Sequence, residues 1–192
     1  MNRVALFGGA FNPPHRAHAA VARACLAQLP IDRLIVLPAG RHPWKEDDPA
    51  LAPGPVRLQL CRLAFAFDPR IEVSDYEVAK SGPAYTVDTL RHFAQALGPA
   101  AKLYWVIGAD NLAQIHLWRE PQAIFQLAEL VVLPRPGHAT VAAGLTPRVL
   151  QLAADPVTAT DLRRRLARGE ELGDELDPGV RRRIGELGLY RS

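Results

Sequence analysis

Short apolar runs alternate along the chain with longer segments in which apolar residues recur every three or four positions. The short runs predict strands at 4–7, 34–37, 71–74, 103–107 and 130–133, and a weaker strand at 149–152. The periodic segments between them predict helices at 18–29, 56–67, 86–97 and 122–127. Alternating strands and helices indicate βαβ units, and apolar runs without polar alternation are typical of strands buried on both sides. The pattern therefore predicts an α/β fold, with a doubly wound parallel sheet and helices on both of its faces.

The carboxyl-terminal part is predicted to be helical. Segments 160–168 and 178–186 have helical periodicity, and Asp177-Pro178 supplies an N-cap and a first-turn proline to the second of them. Two loops rich in proline and glycine, 38–55 and 134–147, each follow a predicted strand. Ligand sites of open α/β sheets lie at the carboxyl ends of the strands. Both loops are therefore candidate walls of a site.

Composition narrows the class of protein. The chain has 192 residues, 48% of them hydrophobic and 22% charged, which predicts one soluble domain spanning 1–192. No apolar run approaches the roughly 18 residues that span a bilayer, and we expect a cytoplasmic protein without a membrane partner. The net charge is only +3, and the arginines near the carboxyl end alternate with acidic residues, so nucleic acid is not an expected partner. Cys25 and Cys61 lie in helical patterns and are expected to be buried thiols.

The strongest candidate for chemistry is the segment 8–18, which reads GGAFNPPHRAH and follows the first predicted strand. A glycine turn, two prolines and two histidines thus lie between a strand and a helix. A helix amino terminus at the carboxyl end of a strand favours anions, and two imidazoles there indicate phosphate chemistry. The segment matches neither the dinucleotide-binding nor the P-loop fingerprint.

Segment 8–18 resembles the H-x-G-H signature of nucleotidyltransferases, and its Asn12-Pro13-Pro14 insert resembles that of the bacterial nicotinate-nucleotide adenylyltransferases. Ala17 stands where the family usually has glycine. The resemblance extends from Val4 to Tyr190 and implies a Rossmann-like fold. It also implies transfer of the adenylyl group of ATP to nicotinate mononucleotide in NAD biosynthesis, with Mg²⁺ carried by the ATP phosphates rather than by protein ligands.

Five further segments resemble the family's motifs. Segment 81–90 is similar to S-Y-T-x-D-T-L, with Ala84 in place of the serine, and 157–163 is similar to I-S-S-T-x-I-R, with Ala159 in place of a serine. The other matches are P-x-K at 43–45, G-x-D-x-L at 108–112 and R-P-G at 135–137. Thr86 is expected to be the N-cap of helix 86–97, whose free N–H groups suit a carboxylate. Trp118 is expected to stack on the pyridine ring.

The resemblance implies roles for individual residues. It implies a catalytic role for His15, His18, Lys45 and Arg163. It implies contacts with ATP for Gly8, Gly9, Phe11, His15, His18, Gly108, Asp110, Thr158, Thr160 and Arg163. It implies contacts with nicotinate mononucleotide for Asn12, Lys45, Tyr85, Thr86, Asp110, Trp118 and Arg135.

Three alternatives stay open at the level of sequence. An enzyme of the same fold could use nicotinamide mononucleotide or phosphopantetheine as acceptor, or CTP as donor. Ala17 and Ala159 suggest a nucleotide-binding module that has lost catalysis. The arginines between 163 and 183 suggest binding to DNA or RNA. The preference for acid or amide depends on backbone geometry, and the oligomeric state is open, with a homo-oligomer as one option.

Overall fold

The computed structural model describes residues 2–40, 50–141 and 144–191. In these residues, six parallel strands form one sheet in the order β3-β2-β1-β4-β5-β6. The strands are β1 (Asn2–Gly9), β2 (Arg33–Pro38), β3 (Ile71–Val73), β4 (Ala101–Gly108), β5 (Ala128–Leu133) and β6 (Arg148–Val149). The strand order reverses its direction between β1 and β4, the position at which open α/β sheets form a ligand-binding crevice.

Helices connect the strands. They are α1 (Arg16–Gln28), α2 (Gly54–Ala64), α3 (Thr86–Leu97), α4 (Ala109–Leu112), α5 (Pro121–Leu127), α6 (Ala159–Ala167) and α7 (Pro178–Leu187), with a short 3₁₀ helix at Ile115–Leu117. None of the helices in the described ranges has both the length and the apolar character needed to cross a bilayer.

Both faces of the sheet are covered, because successive residues of β1 enter different apolar clusters. Ala5 and Phe7 pack with residues of α1 and α2, including the buried thiols Cys25 and Cys61. Val4 and Leu6 pack on the opposite face with residues of α3 and α5. A strand that points alternate side chains into two cores must be apolar at every position. The predicted doubly wound α/β fold is confirmed.

The carboxyl-terminal helices pack on α2. Leu162 of α6 and Val180 and Ile184 of α7 form a third apolar cluster with Leu60 of α2. Asp177 caps α7 as predicted, and its carboxylate accepts hydrogen bonds from the N–H groups at 179 and 180. The cluster brings the end of the chain back toward the first half of the sheet.

The structure differs from the predicted elements at a few places. The last strand lies at Arg148–Val149 instead of 149–152, because only Arg148 and Val149 pair with β5. Helix α2 begins two residues earlier and ends three residues earlier than the predicted helix 56–67. Helix α4 was not predicted, since four residues are too few to show a helical period.

Arg57 joins the loop after β1 to both ends of the loop between β2 and α2. Its guanidinium is 3% exposed and donates to the carbonyl oxygens of Ala10 at 2.8 Å, Ala39 at 2.7 Å and Ala52 at 2.9 Å. These carbonyls follow β1, follow β2 and precede α2, respectively. Burial lowers the pKa of Arg57, so the three charge-assisted hydrogen bonds are needed to compensate for desolvation of the cation.

We expect Arg57→Met to lower the free energy of unfolding by about 3 kcal/mol, because three buried carbonyl groups lose a charged donor. Urea unfolding measures this loss. The control is Arg62→Met on the exposed face of the same helix, which should change stability by less than about 0.5 kcal/mol. Equal, small losses in both variants would contradict the role of Arg57.

Candidate active site

The candidate site lies at the carboxyl edge of the sheet, around the crevice between β1 and β4. Parallel strands all end at this edge, so the predicted motifs that follow β1, β4 and β5 are brought together there. The amino termini of the helices that follow these strands point toward the same edge. Such termini supply backbone N–H groups for anions.

His15 and His18 form a stacked pair at the start of α1. Their ring centroids lie 3.8 Å apart with the planes inclined by 37°. His15 is the N-cap of α1, and its backbone N–H donates to Nδ1 of His18 at 3.2 Å. This hydrogen bond places the proton of a neutral His18 ring on Nε2. The Nε2–H group is then the donor that His18 can offer to a ligand.

Both imidazoles are neutral near pH 7. Burial lowers the pKa of His15 to about 4, Arg135 and Arg16 lower it further, and Asp155 opposes them. Burial also lowers the pKa of His18 well below its usual value, and His15 and Arg135 add to the effect. Nδ1 of His15 is buried, and within the described ranges it has no hydrogen-bond partner. A bound anion would raise the pKa of both imidazoles and favour their protonation.

The turn before the histidines is built by core packing. Phe11 adopts a left-handed conformation with φ of 46°, and its buried ring makes edge contacts with Phe7 at 5.3 Å and with His18 at 4.9 Å. A Cβ atom on Gly9 would lie only 3.0 Å from the Phe11 ring. Gly8 and Gly9 end strand β1, so the predicted glycine turn is wrong at these two positions. Gly9 leaves room for the Phe11 ring that contacts His18, and the contacts of Gly8, Gly9 and Phe11 with ATP stay predictions.

Asn12 lies buried at the centre of a polar network. Its side chain donates to the carbonyl of Ala50 at 2.7 Å and accepts from the N–H of Ala52 at 3.1 Å. Its backbone carbonyl accepts from Nη1 of Arg163 at 2.9 Å. The structure thus brings Asn12 and Arg163 together, and the predicted contact of Asn12 with the mononucleotide stays untested.

Asp110 and Arg135 face each other across the ends of β4 and β5. Asp110 Oδ1 lies 3.9 Å from Arg135 Nε, and both side chains are about half exposed. A Cβ atom on Gly108 would lie 2.2 Å from Asp110 Oδ1, so a larger residue would have to displace the Asp110 carboxylate. The positive charge of Arg135 lowers the pKa of both histidines.

The start of α6 matches the predicted hydroxyl-rich helix start. Thr158 is the N-cap, and its hydroxyl accepts from the N–H of Asp161 at 3.1 Å. Thr160 is exposed in the first turn, and Arg163 follows one turn into the helix. The segment before α6 is tied to α1 by an ion pair between Arg16 Nε and Asp155 Oδ2 at 3.0 Å.

The N-cap of α3 is Tyr85, and the prediction of Thr86 as the N-cap is wrong by one residue. Tyr85 has extended backbone angles, and its carbonyl accepts from the N–H groups at 88 and 89, so Thr86 is already helical. The first N–H groups of a helix still lack intrahelical partners. Tyr85 and Trp118 pack against the same apolar cluster, and the guanidinium of Arg119 lies 4.8 Å from the Tyr85 ring centroid. Trp105 is buried in the core.

Two charged residues near this helix were missed at the sequence level. Arg119 was overlooked beside Trp118, although an arginine next to an aromatic residue in a loop is a local signal. Glu77 is buried and accepts a hydrogen bond from the Thr89 hydroxyl at 2.8 Å. Burial raises the pKa of Glu77. A single loop carboxylate has no sequence signature that would reveal this contact.

Two further predictions concern Lys45 and a metal ion. The segment Pro43-Trp44-Lys45 lies outside the described residues. In residues 2–40, 50–141 and 144–191, no group of three or more His, Cys, Asp or Glu side chains is placed to hold a metal ion. The described side chains therefore do not fit a protein-held Mg²⁺.

The chain is similar in sequence to known proteins over most of its length. The profile described as cytidylyltransferase-like matches residues 6–165. A Chromobacterium violaceum protein named "Probable nicotinate-nucleotide adenylyltransferase" is 38% identical over 212 residues, covering 98% of this chain and 99% of the relative. A Streptomyces coelicolor protein of the same name is 36% identical over 188 residues, covering 96% of this chain and 99% of the relative.

Solved structures share the fold. Nicotinic acid mononucleotide adenylyltransferase from Plasmodium falciparum, complexed with NaAD, superposes with a TM-score of 0.78 at 19% identity and covers 99% of this chain and 98% of its own. The same protein complexed with APC has a TM-score of 0.74 at 18% identity, with the same coverage of both chains. At these identities the likeness concerns the fold alone.

The depressed pKa of His15 predicts a pH dependence of stability. Folded His15 stays neutral down to about pH 4, whereas an unfolded histidine binds a proton near pH 6.5. The unfolded state therefore binds more protons between these values, and stability falls as the pH drops from 6.5 toward 4. Between pH 7.5 and pH 5, the free energy of unfolding should therefore fall by about 2 kcal/mol less in His15→Gln than in wild type.

Urea unfolding at both pH values measures this difference. The control is His92→Gln, which alters an exposed histidine of α3 and should leave the loss unchanged. Identical losses in wild type and His15→Gln would contradict a neutral, buried His15.

Proposed function

The chain belongs to the cytidylyltransferase-like family and, within it, to the nicotinate-nucleotide adenylyltransferases, and we propose that it transfers the adenylyl group of ATP to nicotinate mononucleotide. The products are nicotinate adenine dinucleotide and pyrophosphate. The reaction is a step of NAD biosynthesis. Relatives that are 36–38% identical over nearly their whole length carry the name of this activity.

The observation that carries the proposal is the neutral imidazole pair at the amino terminus of α1, with Arg135 close by. Buried donors, a nearby guanidinium and a helix amino terminus form an environment suited to a polyanion. The triphosphate of ATP has this charge. A site for a neutral ligand would have no need of so many donors.

The attack requires little acid–base chemistry from the protein. The 5′-phosphate of the acceptor has a second pKa near 6, so its oxygen is already ionised at neutral pH. This oxygen forms a bond to the α-phosphorus of ATP, and the bond to the pyrophosphate oxygen breaks in line. Catalysis then consists of positioning the two nucleotides and stabilising charge on the phosphates.

Each residue near the phosphates has a defined part in this mechanism. Nε2–H of His18 and the His15 ring donate hydrogen bonds to phosphate oxygens, and phosphate anions nearby favour protonation of both rings. Arg163 and Lys45 add positive charge. Gly8, Gly9, Phe11 and Thr158 shape the ATP site, together with Gly108, Asp110 and Thr160. Mg²⁺ brought in with ATP would supply further positive charge to the phosphates, without ligands from the described side chains.

The acceptor is bound at the start of α3. Free N–H groups near Thr86 hold the nicotinate carboxylate, and Trp118 stacks on the pyridine ring beside Tyr85. Arg119, which lies over Tyr85, adds a positive charge that favours the acid over the neutral amide. Asp110 and Arg135 complete the acceptor site, with Arg135 near the acceptor phosphate, and buried Asn12 supports the site through hydrogen bonds within the protein. A cytoplasmic location and a homo-oligomer stay predictions.

Acceptor specificity tests the proposed function directly. Pyrophosphate release from ATP and Mg²⁺ is measured with nicotinate mononucleotide, nicotinamide mononucleotide, phosphopantetheine and no acceptor. We expect release to be fastest with the nicotinate acceptor, with the dinucleotide as product. Fastest release with another acceptor would assign another enzyme of this fold. Silence with all acceptors despite ATP binding would support a module in which Ala17 and Ala159 have abolished catalysis.

We expect His18→Ala to lower kcat/KM by at least about 100-fold, the effect of losing one donor to a charged transition state. Steady-state kinetics with both substrates measures the change. His92→Ala, which removes an exposed histidine of α3, is the matched control and should stay within about twofold of wild type. Near-normal activity of a folded His18→Ala protein would refute the role of His18.

A further inference from the structure

Tyr190 lies near the end of the chain, beyond α7, and reaches back to the first motif. Its ring is partly buried against the cluster formed by α2, α6 and α7. Its hydroxyl donates to Oδ1 of Asn12 at 2.7 Å, a contact that joins residues 178 positions apart in the sequence. Burial raises the pKa of Tyr190, so the phenol stays protonated and remains a donor at neutral pH.

Besides Tyr190, the Asn12 side chain contacts two backbone groups in the segment before α2. Its Oδ1 atom also accepts from the N–H of Ala52, and its Nδ2 group donates to the carbonyl of Ala50. The side chain is 3% exposed, and both of its polar atoms are engaged within the protein. The carbonyl of Ala52 is itself held by buried Arg57. The orientation of the Asn12 amide is therefore set by three neighbours, and Tyr190 is the only one of them that contributes a side chain.

The backbone of Asn12 forms a hydrogen bond with Arg163. Its carbonyl oxygen accepts from Nη1 of Arg163 at 2.9 Å, so one of the five N–H donors of the guanidinium anchors the side chain to this backbone. Asn12 lies three residues before His15. One peptide segment therefore links the Tyr190 hydroxyl to a phosphate-binding arginine and to the histidine pair.

We propose that Tyr190 is a positioning residue for adenylyl transfer, acting through Asn12 to hold Arg163 in place. The proposal rests on the proposed function, because Arg163 must face the ATP phosphates. Tyr190 touches neither substrate. Its hydroxyl fixes the Asn12 amide, and loss of the hydroxyl leaves the carbonyl that anchors Arg163 less constrained. Displacements of about 1 Å at a transition state cost up to about 100-fold in rate.

The first test is Tyr190→Phe, which keeps the ring and removes only the hydroxyl. We expect kcat to fall about tenfold, while KM for nicotinate mononucleotide changes less than about threefold, because the acceptor is held at α3. Tyr104→Phe is the matched control: it removes the hydroxyl of a buried tyrosine on β4, whose ring centroid lies 5.1 Å from Nζ of Lys102, and its kcat should stay within about twofold of wild type. An unchanged kcat in a folded Tyr190→Phe protein would overturn the proposal.

A double-mutant cycle separates positioning from a general loss of stability. If Tyr190 acts through Arg163, Tyr190→Phe should lower kcat less than about twofold in an Arg163→Ala background, since the group that it positions is already absent. A second, independent tenfold loss would show that the hydroxyl stabilises the fold without positioning Arg163, and would refute the proposal.

Hydrogen exchange at the Ala52 amide tests the effect of Tyr190 on Asn12 without any activity assay. This N–H shares the Oδ1 acceptor of Asn12 with the Tyr190 hydroxyl. We expect its exchange to be faster in Tyr190→Phe than in wild type and unchanged in Tyr104→Phe. Slower or unchanged exchange in Tyr190→Phe would contradict the claim that the Tyr190 hydroxyl fixes the Asn12 amide. A wild type that is inactive with every acceptor would instead refute the proposed function, and with it the catalytic part of this proposal.

Discussion

The buried guanidinium of Arg57 is the interaction on which the candidate site depends most. It binds one carbonyl from the loop after β1, one from the loop after β2 and one from the segment before α2. A cation can be buried without a carboxylate when several oriented dipoles replace its hydration. The loop that leads to the histidine pair is therefore anchored by a residue that does not itself face the site. The side chain of Asn12 fixes the same loop further through uncharged hydrogen bonds with Ala50, Ala52 and Tyr190.

The residues around His18 and the residues around Tyr85 are supported by opposite faces of the sheet. The ring of Phe11, which supports His18, belongs to the core on the side of α1, whereas Tyr85 and Trp118 pack on the core on the side of α3. The two groups of residues can meet only at the carboxyl edge, where the strand order reverses between β1 and β4. A transfer between two nucleotides suits this division, because each core can hold one substrate rigidly while the phosphates meet above the crevice.

Much of this arrangement was accessible from the sequence, and the failures have local causes. The six strands, the long helices and the Asp177 cap follow from periodicity and capping chemistry. The N-cap of α3 was misplaced by one residue, because a threonine hydroxyl is a better cap than tyrosine by propensity, whereas the extended backbone of Tyr85 decides the real boundary. The last strand was misplaced because the edge of β5 offers pairing to only two residues.

By itself, the sequence determined which segments become strands and helices and which motif begins α1, because apolar periodicity, glycine turns and proline positions are properties of neighbouring residues. Only the tertiary structure decided the partners of Arg57, Asn12 and Tyr190. Most of their hydrogen bonds connect positions from 38 to 178 residues apart, and no local pattern states which carbonyl a buried donor will meet. The neutrality of the two histidines was likewise decided by folding, since an imidazole loses its proton affinity only when packing removes the surrounding water.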